Sequence, residues 1–252
     1  MKMKTFVSVI LLIFSVLGWA QSPDELFESA TQDYANGNFE DAITKYEQIL
    51  NQGKESSNLY YNLGNAHYKL NQIAPSIYYY EKGLQLDPNH KDIINNLAFA
   101  QNMTLDAFEE LPKTAFQKFK ENTIGAFTQN QWAVLAIIAS VLMCVFFLAY
   151  FFTGFSKKKK LYFVLSVISL VLLISFTTFA YTKAREVASN NYAIVFEKET
   201  DVKSEPNQNS STAFQLHEGA KIKILDSFNG FYKLELPNGS QGWIFKDDIK
   251  TL

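Results

Sequence analysis

The side chains that could perform chemistry are dispersed along the chain, and they form no known catalytic or metal-binding pattern. His67, His90 and His217 are isolated from one another, and the single cysteine, Cys144, lies inside an apolar run. The chain has no phosphate-binding loop, no dinucleotide-binding glycine motif, no GxSxG elbow and no HExxH pair. We therefore expect no catalytic residues, no metal site and no cofactor, and we predict that the protein is not an enzyme.

The charge distribution argues against nucleic acid as a ligand. The net charge of the 252-residue chain is −2, whereas nucleic-acid-binding domains carry a basic surface patch. The lysines are concentrated beside the apolar runs, and the parts before and after those runs are acidic on balance. We expect partners other than nucleic acid.

Two uncharged, strongly apolar runs flank a cluster of four lysines. The runs are Trp132–Phe152 and Leu161–Tyr181, and about 20 helical residues cross a bilayer core. A backbone in lipid must satisfy its own hydrogen bonds, so each run is expected to be a helix. The sequence predicts transmembrane helices over 129–153 and 161–182, joined by a loop at 154–160.

The same lysines predict the orientation of this two-helix hairpin. Short cytoplasmic loops are enriched in Lys and Arg, and the predicted loop contains Lys157–Lys160. Residues 1–20 have a basic start, a short apolar stretch and small residues before Ala20, as in a secretory signal peptide; an uncleaved anchor is the alternative. Both features place the chain in the inner membrane, as a multi-pass protein with both terminal domains in the periplasm.

Residues 23–104 contain an internal repeat. Gly37 and Asn71, like Tyr46 and Tyr80, are 34 positions apart, and 34 residues is the period of tetratricopeptide (TPR) repeats. The stretch from Tyr60 to His90 closely resembles that consensus, with its Leu-Gly pair and its Asp-Pro pair. We assign 21–104 to TPR repeats with a capping helix. Because stable arrays contain about three units, we expect support from a partner, a second copy or the membrane.

The TPR resemblance implies a partner-binding concave face, built from the first helix of each repeat. Two aromatic residues, Phe27 and Tyr61, stand where a carboxylate clamp would have charge. An aromatic groove suits an apolar or helical segment of a protein partner, although packing between repeats is an alternative role for these rings. The residues implied are Phe27, Thr31, Tyr34, Tyr61, Asn65, Tyr68, Lys69, Asn95 and Phe99.

The segment 105–128 separates the array from the first apolar run, and we assign it as a linker. Phe116, Phe119 and Ile124 could line one side of a short helix at the membrane interface. An ordinary linker without such a helix is the alternative.

The C-terminal part, residues 183–252, is predicted to be an all-β domain. Short runs rich in β-branched and aromatic residues alternate with two Asn-Gly pairs that mark tight turns. The stretch resembles the bacterial SH3 domain, in which the Gly242-Trp243 pair is characteristic, and this implies an SH3-like barrel. Trp243 is expected in or beside the core, with ligand binding as the alternative. The predicted strands are Ala193–Phe196, Lys221–Leu225, Phe231–Leu236 and Gly242–Phe245, with a final short strand at Ile249.

The order of modules gives a fold class, a multidomain membrane protein with an all-α repeat, a transmembrane hairpin and an all-β barrel. This order resembles the BatE-type proteins of the aerotolerance (Bat) operon, which are encoded beside von Willebrand A-type membrane proteins and a MoxR-type ATPase. The resemblance implies a non-catalytic scaffold of an envelope complex linked to stress tolerance, with membrane proteins of the same operon as partners. The alternative is a cell-wall sensor or anchor, whose SH3-like domain binds peptidoglycan while the TPR face recruits a wall enzyme.

Overall fold

The computed structural model describes residues 22–108, 112, 114–189 and 191–252. The predicted signal peptide, residues 1–20, lies outside the described residues. The described residues form two compact units, one made of 22–108 together with 192–252, and one made of the described residues between 112 and 191. The predicted layout of a helical repeat, two long apolar helices and a β domain is confirmed at this level.

The first unit begins with five helices arranged as successive antiparallel pairs. Ser22 caps the first helix in a capping box, because its hydroxyl accepts from the Glu25 backbone and the Glu25 carboxylate accepts from the Ser22 backbone. The turn of the second repeat has Asn71 at φ 58°, where the first repeat has Gly37 at φ 86°. The helices are α1 Pro23–Ala35, α2 Phe39–Asn51, α3 Ser57–Lys69, α4 Ile73–Leu86 and α5 Lys91–Gln101.

Small residues allow the paired helices to approach closely. The Ser76 hydroxyl on α4 donates to the Gly64 carbonyl oxygen on α3 at 2.9 Å. A Cβ on Gly64 would lie 2.4 Å from the ring of Tyr80, which is fully buried in the helical core. Only glycine therefore fits at position 64 without displacing Tyr80.

The β domain has seven strands: β1 Tyr192–Val195, β2 Glu199–Lys203, β3 Thr212–His217, β4 Lys221–Phe228, β5 Phe231–Glu235, β6 Gln241–Phe245 and β7 Ile249–Thr251. They form one antiparallel sheet in the order β3-β2-β6-β5-β4-β1-β7. The five predicted strands are present, and the predicted strand at Ile249 is β7. The other four have shifted ends, and β4 extends to Phe228, so that Asn229 and Gly230 alone connect it to β5. Strands β2 and β3 were missed because their sequences are mostly polar and their buried positions are few.

Strand β1 supplies side chains to two different cores. Ala193 and Val195 are fully buried in the core of the sheet, whereas Ile194 is fully buried in the core of the helical array. Successive side chains of a strand point to opposite faces, so β1 has one face on each core. The array and the sheet consequently belong to one packed unit.

We call the contact surface between the array and the sheet the seam. At the seam, Lys221 on β4 pairs with Glu81 on α4, with Nζ to Oε2 at 2.8 Å. The Lys250 ammonium lies over the Tyr78 ring at 4.5 Å from its centroid. Gly219 has φ +86°, and an added Cβ would lie 2.7 Å from Thr104. The seam therefore combines apolar packing, an ion pair and a close contact at Gly219 that leaves no space for a side chain.

The second unit contains a short helix followed by two long ones. Helices α7 (Gln129–Phe152) and α8 (Ser156–Ser189) are long and apolar enough to cross a membrane. The most apolar 18-residue stretch of each has a mean hydropathy of 2.7 in α7 and 2.4 in α8. They pack through small side chains, since Ala136, Ala139, Ser166 and Ser169 are buried. The four lysines predicted for the loop lie in the first turn of α8, and only residues 153–155 connect the helices. The helices are α6 Ala115–Thr123, α7 Gln129–Phe152 and α8 Ser156–Ser189, with a 3₁₀-helix at Ile124–Ala126.

Candidate functional site

A cavity of about 250 Å³ opens on the face of the array formed by the first helices of the repeats. Helix α3 contributes four residues at spacings that place them on one side of a helix. Helices α1 and α4 contribute one residue each, and α5 contributes two. We call this cavity the groove, and it is lined by Tyr34, Tyr61, Asn65, Tyr68, Lys69, Tyr80, Asn96 and Phe99.

Six of the nine residues predicted for this face line the groove, and three do not. Phe27 and Thr31 contact Tyr46 instead: the two rings are 5.6 Å apart, and the Thr31 hydroxyl lies 3.0 Å from the tyrosine hydroxyl. Asn95 is exposed, and the neighbouring Asn96 takes its place in the groove. Because consecutive helical residues differ in direction by about 100°, an error of one position moves a side chain off the face.

The floor of the groove is a hydrogen-bonded group of three polar side chains. The Asn65 Oδ1 accepts from the Tyr80 hydroxyl at 2.6 Å and from the Asn96 Nδ2 at 2.8 Å. Burial raises the pKa of Tyr80, so its hydroxyl remains a donor. These bonds do not use the Nδ2–H groups of the Asn65 side chain or the Oδ1 of the Asn96 side chain. The floor therefore offers one donor group and one acceptor at adjacent positions, as a peptide backbone requires.

The walls of the groove are aromatic. Tyr61 stacks on His90 with ring centroids 5.6 Å apart, and Tyr34 packs edge-on against Phe39 at 5.2 Å. Phe99 on α5 is 61% exposed, so its ring is accessible to a bound segment. Tyrosine and phenylalanine walls of this kind favour an apolar anchor residue of a partner.

The groove has little charge. Lys69, at its edge, is the one charged side chain among the eight lining residues. A bound carboxylate is usually held by several cationic donors, whereas this groove offers a neutral amide floor and a single ammonium. The geometry suits an apolar or helical peptide segment better than a terminal carboxylate.

Trp243 lies half-buried on β6. In the sheet it is paired with Lys203 on β2 and with Lys233 on β5. A second cavity, of about 520 Å³, lies on the β domain and has mostly polar walls. The Lys203 ammonium holds the pKa of the exposed Asp201 carboxyl below its usual value. The residues that line this second cavity are Glu199, Thr200, Asp201, Lys203, Gln208, Gln215, Phe245 and Asp248.

The histidines occupy structural positions. His90 caps α5 by accepting from the Ile93 backbone at 3.4 Å, and His67 contacts the Gln72 side chain at 2.6 Å. His217 pairs with Asp106. Among residues 22–108, 112, 114–189 and 191–252, no group of three His, Cys, Asp or Glu side chains is close enough to hold a metal ion.

Two family models match parts of the chain. Residues 57–90 match the tetratricopeptide repeat, which corresponds to α3, α4 and the turn that follows. Residues 198–250 match the bacterial SH3 domain, which corresponds to β2 through most of β7. A comparison with curated proteins found no match. The chain therefore contains a TPR repeat and a bacterial SH3 domain.

Three solved structures show weak likeness to parts of the chain. An NlpC/P60 family protein from Bacillus cereus ATCC 10987 is 15% identical over 28% of this chain and 23% of its own, with a TM-score of 0.22. The C-terminal SH3 domain of myosin IB from Entamoeba histolytica is 23% identical over 25% of this chain and 95% of its own, with a TM-score of 0.19. The TPR2AB domain of yeast Sti1, in complex with pHSP90, is 20% identical over 66% of this chain and 64% of its own, with a TM-score of 0.30. The chain thus spans under a quarter of the Bacillus protein, and likeness at this level carries no functional argument.

Proposed function

We propose that the protein is a non-catalytic scaffold, anchored in the inner membrane by α7 and α8, that binds a protein partner through the groove. The observation that carries this proposal is the open groove itself. Its aromatic walls combine three half-buried tyrosines with the exposed Phe99. The side chains of its asparagine floor have hydrogen-bonding groups that the bonds between Asn65, Tyr80 and Asn96 leave unused. The presence of two interaction modules, a TPR repeat and a bacterial SH3 domain, supports the same role.

The proposed topology places both modules in the periplasm and the α7–α8 connection in the cytoplasm. Lys157–Lys160 at the start of α8 support this orientation, and bacterial SH3 domains favour an extracytoplasmic location. The seam independently supports a location of both modules on the same side of the membrane, because residues before and after the two long helices pack in one unit. Such packing requires an even number of membrane crossings between them.

The partner class follows from the groove chemistry and from the resemblance to BatE-type proteins. We propose that the partner is a membrane protein of the same operon, and that the resulting envelope complex serves stress tolerance or aerotolerance. An apolar or amphipathic segment would place one side chain among Tyr34, Tyr61 and Phe99. Its backbone would then bond to Asn65 and Asn96.

Affinity purification of the detergent-solubilised full chain tests this proposal. We expect membrane proteins to co-purify with the natural chain and to be lost from a Tyr61→Ala/Tyr68→Ala variant. Circular dichroism must first show that the variant keeps its helical content, because both tyrosines also pack against the helical core. Unchanged recovery by a folded variant would exclude the groove as the binding site.

A second candidate function is peptidoglycan binding by the SH3-like domain, with the TPR face recruiting a wall enzyme. The polar cavity of about 520 Å³ on the β domain favours it, since glycan and stem-peptide groups need polar contacts. Co-sedimentation with purified peptidoglycan distinguishes the two functions. Binding that is lost in Gln208→Arg, inside this cavity, and kept in Thr251→Arg, outside it, would support the second candidate.

A further inference from the structure

Helix α6 has an exposed aromatic side. It begins with a capping box, in which the Thr114 hydroxyl accepts from the Gln117 backbone at 3.2 Å and the Gln117 side chain accepts from the Thr114 backbone at 2.8 Å. Phe116 and Phe119, three positions apart, lie on one side of the helix and are 75% and 65% exposed. A helix of nine residues is marginal in water on its own, so this side needs an apolar contact.

Two contacts hold α6 and the following 3₁₀-helix at one end of the long helices. The Lys120 ammonium lies 3.7 Å from the Glu186 carboxylate on α8. The Trp132 indole of α7 donates to the Ile124 carbonyl oxygen at 2.9 Å. Glu186 lies on α8 five positions beyond Tyr181, where the apolar run of this helix ends. Helix α6 therefore lies at the level where the apolar surface of α8 ends.

A cluster of aromatic rings lies near the same end of the long helices. The Trp132 ring lies 4.9 Å from Phe127, 5.0 Å from Phe179 and 5.5 Å from Phe176. Tryptophan and other aromatic residues are concentrated at the boundary between hydrocarbon and headgroups. The cluster and the first charged residues beyond the apolar run, Lys183 and Arg185, thus indicate the position of one membrane surface.

We propose that α6 is an interfacial helix, with Phe116 and Phe119 inserted into the boundary between headgroups and acyl chains. The inference rests on the proposed membrane anchoring by α7 and α8. Lipid is the expected cover because the contacts to Trp132 and Glu186 hold this region beside α7 and α8, whose apolar side chains are themselves exposed. Lys118, exposed beside these rings, would approach anionic phospholipid headgroups.

Spin labels on the full chain test this insertion. In a Cys144→Ser background, single nitroxides are placed by Phe116→Cys, Phe119→Cys and Lys118→Cys, and the protein is embedded in nanodiscs of phosphatidylethanolamine and phosphatidylglycerol. Relaxation by oxygen and by a water-soluble nickel chelate gives the depth of each label. We expect labels at 116 and 119 about 5–10 Å below the headgroup boundary, and the matched label at 118 in water.

A fourth label, Ile137→Cys on α7, separates this inference from the proposed anchoring. Ile137 is 64% exposed, so in a membrane-spanning helix its label must meet oxygen and not nickel. A nickel-accessible label there would overturn the anchoring itself. An oxygen-accessible label at 137 with nickel-accessible labels at 116 and 119 would overturn only the interfacial helix. Labels at 116 and 119 shielded from both reagents would also overturn it, because a protein surface would then cover this side.

Discussion

The carboxylate of Asp106 binds His217 twice. Its Oδ2 accepts from the His217 backbone N–H at 2.7 Å, and its Oδ1 lies 2.9 Å from the ring Nδ1. The two residues are 111 positions apart, and both long apolar helices lie between them in the sequence. This pair therefore joins the end of the TPR array to the SH3-like domain across the segment proposed to enter the membrane.

This pair should stabilise the seam most strongly at acidic pH. The hydrogen bond to Asp106 raises the pKa of His217 in the folded chain. The stability that the pair contributes is therefore complete below the pKa of His217 in the unfolded chain, and it is lost as the pH rises through the pKa in the folded chain. We expect Asp106→Asn to lower stability by about 1 kcal/mol near pH 5.5, below the unfolded value of about 6.5. The deficit should shrink towards about pH 8.5. Thermal unfolding of the full chain at several pH values measures it, and a deficit independent of pH would contradict the assigned charge.

His67 should have the opposite pH dependence. Burial lowers the pKa of His67, whose Nε2 is buried without a hydrogen-bond partner among the described residues. The stability contributed by neutral His67 is therefore complete above about pH 6.5, and it is lost as the pH falls through the pKa of His67 in the folded chain. A His67→Phe variant keeps a ring stacked on Tyr79 and cannot be protonated. In denaturant titrations it should lose less stability than the natural chain on acidification, and parallel pH profiles would argue against this prediction.

Strand β1 provides a matched pair of core substitutions. Ile194→Ala should open a cavity in the helical core and cost about 2–5 kcal/mol, as large-to-small core substitutions do. Val195→Ala, one position along, should open a cavity in the sheet instead. Hydrogen exchange locates each effect: Ile194→Ala should increase exchange in α4, and Val195→Ala should increase it first in β4 to β6. Faster exchange confined to the sheet in both variants would mean that β1 does not support the array.

The proposed topology predicts opposite labelling on the two sides of the membrane. In a Cys144→Ser background, single cysteines are introduced by Asn209→Cys and by Ser156→Cys. Asn209 lies on an exposed turn of the β domain, and Ser156 lies at the start of α8. A membrane-impermeant thiol reagent should label position 209 in cells with a permeabilised outer membrane. It should label position 156 only after the inner membrane is disrupted. The reverse pattern would place both modules in the cytoplasm.

The elements with strong local signals could be predicted from the sequence. The 34-residue period predicts the paired helices because each repeat has the same small and aromatic residues at its contacts. The uncharged runs predict α7 and α8 by length alone. The mostly polar strands β2 and β3 carry no such signal, because only one of their faces is buried. Backbone hydrogen bonds to neighbouring strands, which the sequence does not reveal, hold them in the sheet.

The seam could not be predicted because its contacts are tertiary. The short array was expected to need a partner, a second copy or the membrane, whereas the structure places the chain's own β domain against α4. No sequence pattern relates Asp106 to His217. The pattern around Ile194 predicts a strand but does not indicate that this side chain packs in the helical core. At the groove, the exact face of α5 depends on which residues it buries: Ile93, Leu97 and Ala100 face the core, which brings Asn96 to the groove.

The central claim, partner binding in the groove, is tested most directly by two alanine substitutions on the same helix. Phe99 lines the groove and is 61% exposed, whereas Ile94 is 45% exposed and is not among the lining residues. Neither belongs to the buried core, so both variants should fold. Binding of the co-purified partner to the immobilised full chain would be measured by titration. We expect Phe99→Ala to weaken it by about 2 kcal/mol, roughly 30-fold, and Ile94→Ala to leave it unchanged. Equal affinity of the natural chain and Phe99→Ala would contradict the claim.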